Sequence, residues 1–461
     1  MYDTDPSDQR SWFQIAGIHG KPYVEWNNAG PEQSDGWRGY CPHGQELVKH
    51  AQRLAAEYPA RWRDSYLNAA ANLRIPYWDW AADLAVPQAT VPRTVKVKVP
   101  NGDGLRENEM ENPLATYRYP SAALEGRFGI FDEVRGRTQI MRCPAPGRYP
   151  ESANNALRSR AYPEWVQYDA FTTQNTFNGF ATGERGFGLE RIHDSIHWDG
   201  ACGQQFLSLD LTAFDPLLAS LFHHINADRL WAHWQAIHPE APIFNDTYRG
   251  RSRFATRENT LIHNRSPLEP FFQKSGSFHT SLSVLSYGSF GYTYPGLEFW
   301  AKSQDQMRQD AMRTINQLYG PRRGASAIKA LALGGDEVTQ QHQSRQRYFV
   351  KLLVDRSEVE RPCSVNVYLD DHRAGSWGGF TIDKAIHDTG KHQSSVEDTT
   401  KSIKNSLRVE IETRDGKRID PGAVPSLTME LEDVDFVPPA RDDEFPQYRN
   451  PHRQSVTVAE H

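Results

Sequence analysis

No long hydrophobic run occurs anywhere in this chain. Across its 461 residues no stretch approaches the roughly 18 apolar residues that a spanning helix needs, the hydrophobic share is 38%, and mean hydropathy is -0.70. A helical integral membrane protein is excluded, and no membrane partner is expected. Cysteine is scarce. The four present, Cys41, Cys143, Cys202 and Cys363, form no CxxC pair, which excludes a paired-cysteine zinc site and a dense disulfide framework. Positive charge is not in excess either. Lys and Arg total 52 against 58 Asp and Glu, a net charge of -6, whereas a nucleic-acid binder normally carries a basic footprint. No nucleic acid is expected as partner. Nor is there an internal repeat. The opening residues, Met1-Tyr2-Asp3-Thr4-Asp5-Pro6, lack the basic start and apolar run of a signal peptide, which reads as a cytoplasmic or otherwise intracellular protein.

Aromatic residues make up 11% of the chain, with 12 Trp, too many for a wholly disordered polymer. There are also 17 His, 29 Pro and 33 Gly, a composition that predicts much ordered loop. Up to about residue 300 the sequence carries helical signals. Residues 44–58 form one pattern that ends before Pro59, and 299–318 form another. Asp215 followed by Pro216 supplies an N-cap and a first-turn proline for a helix over 216–236. Thr94–Val99 alternates with period two and stops at Pro100-Asn101-Gly102, which predicts a short ribbon. From residue 346 the pattern changes to short strands at Tyr348–Val354, Ser364–Leu369, Leu407–Glu412 and Leu427–Leu431. The polar stretch 388–406 is expected to be mobile. The organisation expected is a mainly α domain with a β ribbon over 1–300, a helical, polar linker over 301–345, and a C-terminal antiparallel β domain over 346–461.

Histidine carries the chemistry. His193 and His197 stand at i and i+4, on one helix face and one turn apart, where two imidazoles can grip one ion. Alone this signal is weak, because most such pairs are solvated or structural. His223 and His224 are adjacent, so on a helix they diverge by about 100° and at most one joins a given metal comfortably. His19 and His43 are bracketed by glycines and sit on tight loops. Cys41, two residues before His43, is a candidate for a thioether or a metal ligand, with a buried free thiol as the bland alternative.

These motifs occur in order with several others: Phe13-Gln14-Ile15-Ala16-Gly17-Ile18-His19, Gly39-Tyr40-Cys41-Pro42-His43, Pro76-Tyr77-Trp78-Asp79-Trp80, Glu111-Asn112-Pro113-Leu114, Asn226-Ala227-Asp228-Arg229 and Phe290-Gly291-Tyr292-Thr293-Tyr294-Pro295. The set, which runs over most of the chain, resembles the type-3 copper family, specifically fungal tyrosinases. The resemblance implies a four-helix copper core followed by a β domain that shields the site. It also implies two copper ions, dioxygen as co-substrate and a small phenolic substrate. Monophenols would be converted to o-diphenols and these to o-quinones, as in melanin formation, with a catechol oxidase lacking the first step as the alternative. By residue, it assigns His193, His197 and His224 to one copper (CuB), His224 being favoured because it stands four before Asp228. His19 and His43 fall to the other copper (CuA), with Cys41 as thioether partner of His43. Glu190 and Asp194 are assigned to a water that accepts the phenolic proton.

The chain also departs from the family. The third CuA ligand lies in a Trp-His-Arg-Pro-Tyr motif after the second, and this sequence has none. After His43 it passes through Gly44 and Gln45 directly into the next helix at Glu46. His50 is seven residues after His43, and on one helix that separation is about 10 Å, too far to share one ion. Six residues lie between Pro216 and His223, where the family has fewer. The chain as written is therefore expected to hold CuA poorly and to show little or no activity, as a copper-deficient relative would. His233 and His238 are expected to cap a helix or face solvent, and Cys143, Cys202 and Cys363 to be free thiols. Asp79 is expected to order a buried hydrogen-bond network, and Arg229 to pair with an acid.

Overall fold

The computed structural model describes residues 5–18, 45–129, 138–140, 142–143, 148–160, 164–183, 188–200, 202, 215, 222–250, 257–320, 345–355, 358–359, 363–370, 372–376, 380–383, 396–413 and 417–457. Its contacts divide the chain into two compact units. One comprises Met1–Ala161, His193–Ala232 and Ile243–Tyr294, the other Tyr162–Ile192, His233–Pro242 and Pro295–His461. No described helix is long and apolar enough to cross a membrane.

In the first unit, helix α1 (Trp12–Gly17) is capped by Ser11, whose side chain accepts from the amide of Gln14. All six of its residues are buried. Helix α2 (Gln45–Ala56) stops before Pro59, and α3 (Ala60–Ala71) starts directly after it, where the missing proline N–H costs nothing. The expected ribbon is present as β1 (Thr94–Asn101) and β2 (Gly104–Glu111), paired antiparallel with Asn101 opposite Gly104. That register leaves a two-residue turn whose first residue, Gly102, takes φ +58°, a value most L side chains avoid. Helix α4 covers Glu151–Arg160. The buried residues here include Phe13, Trp78, Trp80, Tyr117, Ile140 and Leu230.

The second unit combines helices with two sheets. Helix α5 (Glu164–Thr173) is followed by α6 (Phe177–Thr182). Phe180 packs on Phe171 at 5.2 Å and stacks on Trp234 at 5.3 Å. The histidine-bearing helices α7 (Leu189–Gly200) and α8 (His223–Ile237) are divided between the units, and His193, His197, His223 and His224 all belong to the first. Helix α9 (Gln304–Tyr319) buries Met307, Ala311, Ile315 and Tyr319, one stripe at helical spacing. It joins α5 through Tyr168, whose hydroxyl donates to Asn316 Oδ1 at 2.8 Å.

The strands after residue 345 are β3 (Arg345–Leu353), β4 (Cys363–Leu369), β5 (His372–Ser376), β6 (Phe380–Asp383), β7 (Leu407–Thr413), β8 (Arg418–Ile419), β9 (Thr428–Val437) and β10 (Gln447–Val456). They form two four-stranded antiparallel sheets in the orders β6-β3-β9-β10 and β8-β7-β4-β5. Strand β7 alternates buried and less buried residues without a break. In β9 the buried set runs Met429, Leu431, Asp433 and then shifts to Val434 and Phe436, at a bulge between Asp433 and Asp435. One extra residue reverses which side chains face inward.

Two sequence expectations are corrected. Part of the stretch expected to be mobile is helix α10 (Val396–Ser406), whose Thr399, Thr400 and Ile403 are buried at helical spacing. Strand β10 was not anticipated because it is polar and mostly exposed. Its order comes from backbone pairing along β9 rather than from an apolar face.

Candidate metal centre

Helix α7 supplies two of the convergent imidazoles. Ile192 and Ile196 are 2% and 1% exposed and anchor its inner face. The i, i+4 geometry then sets His193 and His197 side by side on the adjacent face. Glu190 lies exposed in the first turn, where a carboxylate complements the helix dipole.

Helix α8 supplies the third. Its Nε2 atom, on His224, lies 2.7 Å from His193 Nε2 and 3.0 Å from His197 Nε2, and the last two are 3.0 Å apart. Hydrogen bonds alone cannot make such a triangle. An Nε2 that carries a hydrogen cannot also accept, so at least one of the three pairs is mismatched. One cation facing all three lone pairs resolves the conflict. The circumradius of the triangle, about 1.7 Å, is shorter than a metal–imidazole bond of about 2.0 Å. These three Nε2 atoms would hold one ion between them. Among the described residues, His193, His197, His223 and His224 form one cluster whose ligand atoms lie within 4.8 Å of one another, and Glu190, His193 and Asp194 form another. Neutral imidazole donors suit copper.

His223 has a different position. It is fully buried and its Nε2 donates to the backbone carbonyl of His193 at 3.1 Å. Its ring stacks on that of His193 at 4.8 Å, nearly parallel, and meets Trp80 at 5.9 Å. Burial pushes its basicity well below that of an ordinary histidine, and the neighbouring His193 and His224 push the same way. The ring is thus a neutral prop under His193. Asp194 is exposed, with its carboxylate 3.2 Å from His193 Nδ1, the nitrogen opposite the cluster.

The start of α8 is held by motifs distant in sequence. The Trp78 amide donates to the Phe222 carbonyl at 3.0 Å. Arg229 donates to Asp79 at 3.1 Å and to Asn226 at 2.9 Å, under the ring of Tyr77 at 4.5 Å. Asp79 and Arg229 thus take the roles expected of them. Asp228 accepts from the hydroxyls of both Tyr292 and Tyr294. Burial raises the pKa of both phenols, and the Asp228 charge raises it further. The two sequence motifs thus meet at Asp228.

Other expectations fare differently. His19, Cys41 and His43 lie outside the described residues, as do 216–221 of the helix expected after Asp215. Asp215 itself is fully buried and accepts from Arg142 Nε and Nη2, each at 2.7 Å. Cys143 and Cys202 are not free thiols but a disulfide, with Cα atoms 5.0 Å apart; a separation of 59 residues carries no spacing signal. Cys363 is free. His233 is 2% exposed rather than solvent-facing, and His238 is half-buried.

Residues 9–237 match the family model described as the common central domain of tyrosinase. That range includes all eight candidate site residues. The chain is 31% identical over 360 residues to a tyrosinase of Podospora anserina, covering 68% of this chain and 61% of that protein. The chain belongs to the tyrosinase family. A polyphenol oxidase of Agaricus bisporus is 29% identical over 350 residues, covering 69% of this chain and 61% of that protein. The recombinant mushroom tyrosinase structure superposes with a TM-score of 0.76 at 19% identity, covering 99% of this chain and 92% of that one, so the helical core and the sheet-containing C-terminal region share its fold. This tyrosinase-family chain spans about three fifths of the length of the curated relatives it matches.

Proposed function

We propose that this chain is a phenol-oxidising type-3 copper protein, with His193, His197 and His224 holding CuB in a four-helix core. The observation that carries the reading is the triangle of three Nε2 atoms at 2.7–3.0 Å, on a chain of the tyrosinase family. His19 and His43 are the two CuA ligands in this reading, with Cys41 as thioether partner of His43. When bound, the copper pair supplies dioxygen binding and the oxidising chemistry that turns monophenols into o-diphenols and these into o-quinones. The remaining work falls to the chain. The buried inner wall beneath the site, with His223 and Trp80, keeps the ligating rings in place and excludes water behind them. The Asp194 carboxylate lies 3.2 Å from His193 Nδ1 and acts on that ring through its charge. Glu190 and Asp194 are the carboxylates assigned to the water that takes the phenolic proton.

The same reading makes CuA deficient, because no third histidine follows His43 at a usable distance. Metal analysis of the purified chain should give about one copper per chain rather than two, with little oxidation of L-DOPA or tyrosine. Inserting a segment that carries Trp-His-Arg-Pro-Tyr between Gln45 and Glu46 should raise both copper content and quinone formation. Two coppers with full quinone formation in the chain as written would overturn the deficiency. Copper content unchanged by His224→Ala would overturn the assignment of CuB.

A further inference from the structure

We propose that the dipeptide Arg142-Cys143 is a positioning element for the metal centre, fixing the spacing of the two histidine-bearing helices. This inference rests on the reading of His193, His197 and His224 as ligands of one ion. Their Nε2 atoms come from two helices, and the triangle tolerates little relative movement before a bond to one ring is lost. Helix α7 ends at Gly200 and the described part of α8 begins at His223. A connection of that length leaves the spacing of the helices loosely specified by itself.

Two adjacent residues grip this connection at two points. Cys143 is bonded to Cys202, two residues past the end of α7 and five past His197. Arg142 holds Asp215 in a bidentate pair at 2.7 Å, nine residues before His224. The grip is anchored in turn. Arg142 Nη1 donates to the Thr90 carbonyl at 3.2 Å and Nη2 to the Leu114 carbonyl at 2.7 Å, and the guanidinium lies 5.0 Å from the centre of the Tyr149 ring. The side chains of Arg142 and Asp215 are 4% and 0% exposed, so water does not compete for the pair. Both half-cystines have left-handed backbone, φ +51° at Cys143 and +61° at Cys202. L residues hold that conformation where their surroundings over-determine it. One link is covalent and the other is charged, and neither touches the ligating rings.

The test uses the full chain and compares Cys143→Ser/Cys202→Ser and Arg142→Lys with the unmodified protein. The first removes the covalent link with little change in volume. The second keeps the charge and loses the planar fork. Two quantities are measured: Cu(II) and Zn(II) affinity by titration, and amide hydrogen exchange in the metal-free protein. Each variant should bind metal about 10- to 100-fold more weakly, as loss of an orienting contact does. Exchange should rise over 193–200 and 223–232 and stay unchanged in α9 and in the sheets. Unchanged affinity and exchange would overturn the proposal. So would a uniform rise in exchange across the chain, which marks a general loss of stability. If the unmodified chain takes up neither metal, the ligand assignment fails, and the exchange pattern alone then decides whether Arg142-Cys143 aligns the helices.

Discussion

His223 and His224 show how one position along a helix separates two roles for the same side chain. The 100° turn between them sends one ring to the carbonyl of His193 and the other to the Nε2 triangle. His224→Ala should abolish metal uptake. His223→Phe, which keeps the ring but not the hydrogen bond, should weaken uptake about 10- to 100-fold; titration with Cu(II) distinguishes the two. A second histidine reports through pH. His238 is pushed down to about 4, first by burial and then by Arg308. It borders a cavity of about 610 Å³ whose charged lining residues are Asp305, Arg308, Arg441, Asp443 and Glu444. Its folded basicity lies below the unfolded value of about 6.5, so between those values the unfolded chain binds more protons. Stability is therefore lost as pH falls from about 6.5 to 4. His238→Gln should flatten this dependence, measured as urea midpoints at pH 7 and pH 4.5.

At the scale of the element, ends and faces matter more than propensity. Helix α9 begins with a reciprocal cap. Ser303 Oγ accepts from the Gln306 amide at 3.2 Å, and Gln306 Oε1 accepts from the Ser303 amide at 2.8 Å. Ser303→Ala should cost about 1 kcal/mol, read from chemical denaturation. The cap and the buried stripe Met307, Ala311, Ile315, Tyr319 were both present in the sequence, which is why this helix was legible there. Helix α10 was not legible. Its residues are mostly polar, and Thr399 and Thr400 are inside because of what packs on them. The closing motif shows the same limit. Tyr292 and Tyr294 look like aromatic loop residues until Asp228 is placed between their hydroxyls.

On the scale of the whole molecule, charge is buried where distant segments must find one register. Within the second unit, Arg347 on β3 donates to Asp169 on α5 at 2.7 and 3.3 Å. The two side chains are 7% and 0% exposed. Tyr448 on β10 donates to the same carboxylate at 3.2 Å. Burial raises the pKa of that phenol well above its usual value, and the Asp169 charge adds to this. Arg347→Met should destabilise the protein by about 3–5 kcal/mol, because Asp169 is left charged and unpaired. The double variant Asp169→Leu/Arg347→Met should recover most of that loss, in the same denaturation measurement.

The local chemistry lay in the sequence itself: the i, i+4 histidines, the ribbon with its turn, the helix stops at Pro59, and the change to strands after residue 345. Each depends on neighbours within a few residues, where backbone geometry dictates the outcome. The ordered series of motifs also marked the tyrosinase family. Tertiary structure alone decided the rest. It brought the rings of His193 and His197 together with that of His224, paired Cys143 with Cys202, buried Asp215 against Arg142, and brought Asp228 between two tyrosines. These partners are 59 to 73 residues apart, or belong to different helices. No local pattern encodes such meetings, because packing, desolvation and the saturation of buried polar groups are properties of the assembled chain.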